Sequence, residues 1–102
     1  MFDFKLPDYE IIVWINNNRF GEKLEQELLL ITNNLEIYEE IETEDKRVHH
    51  WVVQSWFEAL EVGSKLKPLV DNPNLVFLKL KANNDSNIKD VTLKDNRKMR
   101  KS

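Results

Sequence analysis

The stretch that decides the fold is YEIIVWI, from Tyr9 to Ile15. It combines β-branched and aromatic residues and ends at three asparagines, 16–18, which is the pattern of a strand bounded by a turn. Apolar side chains occupy both phases of the alternation, as they do in strands that are covered on both faces. We therefore expect a central strand here, with the remaining elements packed around it.

The segments after this strand alternate between helical and extended patterns. Apolar residues recur at helical spacing over 20–31, which predicts a first helix. Ser55 and Glu58 have the spacing of a capping box, which predicts a second helix that begins at Trp56. The further predicted strands cover residues 35–43, 47–54, 75–82 and, more briefly, 88–93.

The element order β-α-β-β-α-β is that of a ferredoxin-like α+β two-layer sandwich. In that fold both helices cover one face of an antiparallel sheet with strand order 4-1-3-2, and a fifth C-terminal strand would pair with the fourth. We expect one such domain over residues 1–95. Residues 96–102 contain Arg97, Lys98 and Arg100 but only one apolar residue, so a disordered basic tail is predicted.

A two-layer fold gives every strand a helix-covered phase and an open phase. The phase expected beneath the helices contains Ile11, Val13, Ile15, Ile37, Ile41, Val48, His50 and Val52. The phase expected on the open face contains Ile12, Trp14, Tyr38, Glu40, Glu42, His49, Trp51, Val53, Phe77, Lys79 and Lys81. Every strand of the sandwich then places an aromatic side chain on a face that no helix covers, and such a patch usually has a partner.

This aromatic face predicts a small, non-enzymatic binding or regulatory module that acts through protein–protein contact, as a homodimer joined sheet to sheet. Covering about 400 Å² of apolar surface would supply on the order of 10 kcal/mol before association costs. The predicted binding face is Ile12, Trp14, Tyr38, His49, Trp51, Val53 and Phe77.

A second interpretation is a stacking platform for single-stranded nucleic acid. The rings of Trp14, Trp51 and Phe77 would each hold a base for about 1–3 kcal/mol. The predicted basic contacts are Lys79, Lys81, Arg97, Lys98 and Arg100. The Lys/Arg-Gly-Phe/Tyr signature of RNA-recognition motifs is absent from the third strand, so this interpretation stays second.

A third interpretation starts from the uneven charge. Residues 1–45 carry 12 acids and 3 bases, whereas residues 46–102 carry 6 acids and 12 bases. The densest acidic surface is predicted at Glu36, Glu39, Glu40, Glu42, Glu44 and Asp45. It would suit a small inhibitor that presents a phosphate-like decoy to a basic protein.

Composition excludes several other classes. The net charge of −3 argues against a dedicated duplex-DNA binder, and the absence of cysteine excludes disulfides, thiolate metal sites and cysteine nucleophiles. His49 and His50 are neighbours on a strand, point to opposite faces and cannot ligate one metal ion, so we expect no metal and no cofactor. No catalytic constellation is complete, and no apolar run reaches the ~18 residues of a membrane span. We expect a cytoplasmic protein that is not an enzyme.

Overall fold

Strands and helices follow one another in the expected order, with a short 3-10 helix added after the second α-helix. The structure is a computed structural model that describes residues 7–97. The elements are β1 (Tyr9–Asn16), α1 (Arg19–Thr32), β2 (Glu36–Glu42), β3 (Lys46–Val53), α2 (Trp56–Leu66), the 3-10 helix (Lys67–Asp71), β4 (Leu75–Ala82) and β5 (Val91–Asp95). Neither α-helix in the described range is long and apolar enough to cross a membrane.

A single five-stranded antiparallel sheet has the strand order β2-β3-β1-β4-β5. The order differs from the predicted 4-1-3-2 by the added strand, because β5 extends the sheet beyond β4. β5 covers Val91–Asp95, whereas the sequence pattern predicts it over 88–93. The α+β class and the antiparallel sheet are confirmed, and β1 lies in the middle.

Local sequence sets both helix starts. The side chain of Asn18 accepts a hydrogen bond from the backbone N–H of Gly21 at 2.8 Å. A Cβ at Gly21 would lie 1.7 Å from the carbonyl oxygen of the last β1 residue, so only glycine lets α1 begin this close to the sheet. Ser55 caps α2 through the N–H of Glu58 at 3.1 Å, and the Glu58 carboxylate reaches back to the N–H of Gln54. The predicted capping box is therefore present, except that the Glu58 carboxylate accepts from the N–H of Gln54 and not from that of Ser55.

The core lies between the sheet and the two helices. Ile11, Val13 and Ile15 of β1 are fully buried there, as expected. Leu24 and Leu28 of α1 pack against them, together with apolar side chains from α2 and β4. β1 is therefore the element that both helices share.

β3 has the opposite phase from the expected one. Trp51 pairs with Ile11 across the sheet, is 2 % exposed and belongs to the core. His49 and Val53 share its phase, so the prediction that these three residues lie on the open face is wrong. The β3 residues that take the open face are Val48, His50 and Val52.

The size of the buried indole explains this phase. Burying a tryptophan removes about 150–250 Å² from water, which is more than either valine of the opposite phase can offer. The cost is that Arg47 and His49 also come beneath α1, where Glu25 of that helix provides acceptors for both. Periodicity alone does not show this, because both phases of β3 contain apolar residues.

A register shift changes the phase of β2. Ile37 lies on the helix-covered face, as expected, because it pairs with the buried tryptophan. The register shifts between Ile37 and Glu39, after which Glu40 and Glu42 pair with the helix-facing residues of β3. The predicted placement of Glu40 and Glu42 on the open face, and of Ile41 beneath the helices, is therefore wrong for all three.

The end of the described chain folds back onto the sheet. The N–H of Asn96 donates to the carbonyl of Val76 at 2.8 Å, and the guanidinium of Arg97 lies 3.9 Å from the ring centre of Phe77. These contacts hold the first two residues of the predicted tail, and residues 98–102 lie outside the described residues. The domain boundary after residue 95 stays a prediction.

Replacing Trp51 with alanine is expected to lower the free energy of unfolding by about 3–5 kcal/mol, because the change empties a core position. Trp14→Ala removes a half-buried indole from the open face and should cost about 1–2 kcal/mol. Urea unfolding followed by circular dichroism measures both. Equal losses would contradict the phase assigned to β3.

Candidate docking edge and groove

β2 forms one edge of the sheet and is exposed along its whole length. Among residues 7–97 no strand pairs with its outer side. Three large apolar side chains project from it: Ile37 is 56 % exposed, Tyr38 44 % and Ile41 42 %. An unpaired edge of this kind is a template on which another strand can add.

The same edge is rich in carboxylates. All six residues of the predicted acidic surface are exposed: Glu36, Glu39, Glu40 and Glu42 in β2, and Glu44 and Asp45 in the turn that follows. The acidic stretch of the sequence and the free edge of the sheet are therefore the same surface.

A groove of about 400 Å³ lies between α1 and β2, on the helix-covered face. It exists because α1 packs mainly over β1 and leaves the outer strip of the sheet uncovered. Its lining comprises Glu25 and Leu29 from α1, Glu40, Ile41 and Glu42 from β2, and Arg47, Val48 and His49 from β3.

Glu25 connects α1 with the floor of the groove. Its Oε1 accepts a hydrogen bond from Arg47 at 3.1 Å, and its Oε2 lies 2.7 Å from Nε2 of His49. His49 is buried, and only 15 % of the Glu25 side chain is exposed. One carboxylate thus satisfies two polar side chains that the sheet places beneath the helix.

Arg47 joins four parts of the fold. Its guanidinium lies 3.8 Å from the carboxylate of Glu22 and 3.7 Å from that of Glu42, in addition to its bond with Glu25. Its Nε donates to the side-chain oxygen of Asn17 at 3.0 Å. These contacts link α1, β2, β3 and the loop after β1, so Arg47 is a structural cation within an acidic groove.

The ring of His49 lies between two carboxylates. An ionised carboxylate can only accept, so Nε2 donates to Glu25. Nδ1 on the other side of the ring lies 3.3 Å from Oε2 of Glu40. The ring lies parallel to that of Trp51, 5.1 Å between centroids.

The open face offers less aromatic surface than the sequence predicts. Trp14 and Phe77 meet edge to face with ring centroids 5.7 Å apart, and Arg97 covers both rings. Phe77 is only 3 % exposed, and Arg97 is itself paired with Asp95 at 2.9 Å. Because Trp51 is in the core, Trp14 is the one accessible ring among the three predicted stacking residues, and it is accessible only in part.

The other predicted basic contacts do not form one described surface. Lys79 lies 3.5 Å from Asp90, and Lys81 is the cross-strand partner of Glu10, so each has a carboxylate nearby. The remaining two, Lys98 and Arg100, lie outside the described residues. Ile12 is on the open face as expected but is largely covered by its neighbours.

The open face carries its own histidine–carboxylate pair. Glu10 is buried, its Oε2 accepts from Asn83 at 2.7 Å, and its Oε1 lies 3.4 Å from Nδ1 of His50. Tyr38 stacks on His50 with ring centroids 6.5 Å apart. Burial raises the pKa of the Glu10 carboxyl, but interactions with His50, Asn83 and Lys81 outweigh burial, so the pKa lies below its ordinary value.

The sequence-based predictions miss the groove. Glu25 directly follows Leu24 on the flank of the apolar stripe of α1, where an acid needs a partner. Arg47 and His49 share one phase of β3 and are suitable partners. The available signal is that Arg47 and His49 alternate in phase with Trp51, so burying the tryptophan brings both of them beneath the helix.

In residues 7–97 no group of three or more potential metal ligands is arranged to hold a metal ion. Comparisons with protein-family models, with curated proteins and with solved structures gave no match. The geometry of the edge and the groove therefore has to indicate the function.

Glu25→Ala is expected to lower the free energy of unfolding by about 2–3 kcal/mol, because Arg47 and His49 lose their acceptor beneath α1. Glu27→Ala removes an exposed acid from the same helix and should change stability by no more than about 0.5 kcal/mol. Thermal and urea unfolding measure both variants. A loss no larger than that of the Glu27 control would show that Glu25 does not hold β3 in phase.

The lowered pKa of Glu10 predicts a specific dependence of stability on pH. The stabilisation from its carboxylate is complete above the ordinary pKa of 4.5 and is lost as pH falls through the lowered folded-state pKa. Glu10→Gln should therefore flatten the decline in unfolding free energy below about pH 4.5, whereas Glu61→Gln, an exposed acid on α2, should not. Equal slopes in the wild type and Glu10→Gln would contradict this assignment.

Proposed function

We propose that this chain is a non-enzymatic binding module that docks an extended, basic segment of a partner protein along the edge of β2. The layout that presents this edge is a ferredoxin-like sandwich with a fifth strand added. The observation that carries the proposal is the exposure of all seven β2 residues, apolar and acidic alike, on a strand with no outer neighbour in the described chain.

The apolar side chains of β2 favour docking over simple protection of an edge. Exposed charges on an edge strand are the usual guard against unwanted pairing. Charges alone protect an edge, so protection does not explain the exposed apolar side chains of Ile37, Tyr38 and Ile41, which project from both faces of the strand. An added strand would cover them through cross-strand contacts on each face.

The charge of β2 selects the kind of partner. A second copy paired β2 to β2 would bring together two strands that each carry four glutamates, and the antiparallel register that sets Glu39 opposite itself also sets Glu36 opposite Glu42, which is destabilising. A segment that carries lysine or arginine would instead face Glu36, Glu39 and Glu40. The acidic inhibitor predicted from the sequence is therefore the interpretation that this geometry favours.

The other two interpretations have lost their main support. The homodimer through the open face and the single-stranded nucleic-acid platform both depend on Trp51, which lies in the core. Self-association and the cytoplasmic location stay predictions.

Reversing two edge charges tests the docking strand. The probe is a fluorescein-labelled octapeptide of alternating valine and lysine, acetylated and amidated, and its binding is followed by fluorescence anisotropy at low ionic strength. Glu36→Lys combined with Glu39→Lys should weaken binding about tenfold or more, since two attractive pairs become repulsive. Deuterium exchange should slow over 36–42 when the peptide is bound.

The matched control is Glu27→Lys combined with Glu61→Lys, which changes the net charge equally on the exposed sides of the two helices. This control should bind the peptide nearly as tightly as the wild type. An equal loss of peptide affinity in both double variants would show that the effect comes from net charge and not from the edge of β2. Absence of peptide binding, together with tryptophan quenching by a mixed oligonucleotide, would overturn the proposal in favour of nucleic acid.

A further inference from the structure

We propose that the partner docked on β2 is a second copy of this chain, whose residues 98–101 pair antiparallel with residues 39–42 of the edge. The inference rests on the proposed function and names the partner for the same edge. A match of charged and apolar side chains, position by position, between these two stretches of the sequence carries it.

The register follows from the single apolar residue in each stretch. Residues 39–42 are Glu-Glu-Ile-Glu, and residues 98–101 are Lys-Met-Arg-Lys. When Met99 is set opposite Ile41 in an antiparallel pair, every remaining position brings a cation opposite a glutamate. Opposite charges in such directly opposed positions stabilise a strand pair. The three resulting pairs are Lys98 with Glu42, Arg100 with Glu40, and Lys101 with Glu39.

The edge is regular over the four residues that this register uses. The register shift in β2 lies between Ile37 and Glu39, so residues 39–42 alternate against β3 without interruption. All four are exposed, and no strand of the described chain occupies their outer side. A strand paired there alternates between the same two faces, so each cation meets its glutamate on one side of the sheet.

Distance excludes docking of this segment on the edge of its own copy. Asn96 continues the line of β5, because its N–H donates to the carbonyl of Val76 in β4. A strand on the outer side of β2 would lie five strand spacings from that line, which is about 24 Å. Lys101 is five residues beyond Asn96, and five extended residues span at most about 18 Å. The segment of one copy can therefore pair only with the edge of another.

The opposite edge of the sheet does not offer the same complement. β5 contains one carboxylate, that of Asp95, and Arg97 of the same copy already binds it at 2.9 Å. Its one lysine, Lys94, donates to the backbone carbonyls of Val70 and Asn72. A basic segment therefore selects β2.

Reversal of charge in two different chains tests the identity of the partner. The edge variant is Glu39→Lys with Glu40→Lys, and the segment variant is Arg100→Glu with Lys101→Glu. Association is followed by sedimentation velocity at low ionic strength over a range of protein concentrations. The wild type should associate, and each variant alone should have a dissociation constant raised about tenfold or more, since two attractive pairs become repulsive.

An equimolar mixture of the edge variant and the segment variant should recover the association, because the reversed edge then meets the reversed segment. This recovery also shows that neither variant lost association by misfolding. The matched control, Glu27→Lys with Glu61→Lys, changes the net charge as the edge variant does but on the exposed sides of the helices, and it should associate like the wild type.

Disulfide formation tests the register. The chain has no cysteine, so introduced cysteines report on a single contact. Met99→Cys mixed with Ile41→Cys should give a disulfide between copies, since opposed residues of an antiparallel pair have Cα atoms about 4.5–5.5 Å apart, within reach of the bond. Ile37→Cys is more exposed but lies four residues away, so it should cross-link to Met99→Cys about tenfold more slowly. Mass spectrometry of the mixed dimer measures both rates.

The possible failures are distinguishable. A wild type that stays monomeric but binds the valine–lysine octapeptide would overturn the second copy as partner and leave docking on β2 intact. The same conclusion would follow if the segment variant associated like the wild type, or if the mixture of reversed variants stayed monomeric. Equal cross-linking rates at the two isoleucine positions would overturn the register. Absence of both self-association and octapeptide binding would count against docking on β2 itself.

Discussion

The carboxylate of Glu25, placed beneath α1, is the interaction on which the rest of the structure depends. β3 gains most by burying Trp51, but strand alternation then brings His49 and Arg47 to the same covered face. Both would be costly there without acceptors. Glu25 accepts from both side chains, and this lets the strand keep the phase that buries the indole.

The phase of β3 in turn determines what the edge of the sheet presents. Glu40 and Glu42 pair with His49 and Arg47, so they face the helix side, while the register shift places Ile41 on the open side. α1 packs over β1, and the outer strip remains uncovered. The groove and the exposed edge are thus two consequences of one packing choice, and a docked strand would contact both.

The sequence was sufficient where a pattern had one solution. The run from Tyr9 to Ile15 predicts the central strand, and Ser55 with Glu58 predicts the start of α2, because these signals are local. β3 has apolar residues in both phases, so its choice depends on the long-range partner Glu25 and not on its own alternation. The register shift in β2 likewise has no glycine or proline to mark it.

The adjacent histidines show how one strand supplies a polar contact to each face of the sheet. Alternation sends His50 to the open face and His49 to the covered face, and each meets a glutamate that another element supplies. On the open face Glu10 is buried, its Oε2 accepts from Asn83, and the surrounding groups hold its charge, as its lowered pKa indicates. On the covered face His49 lies between Glu25 and Glu40, at the wall of the groove. Both contacts tie β3 to a neighbouring element, so the histidine pair that cannot share a metal ion instead links the strand to β1 on one face and to α1 and β2 on the other.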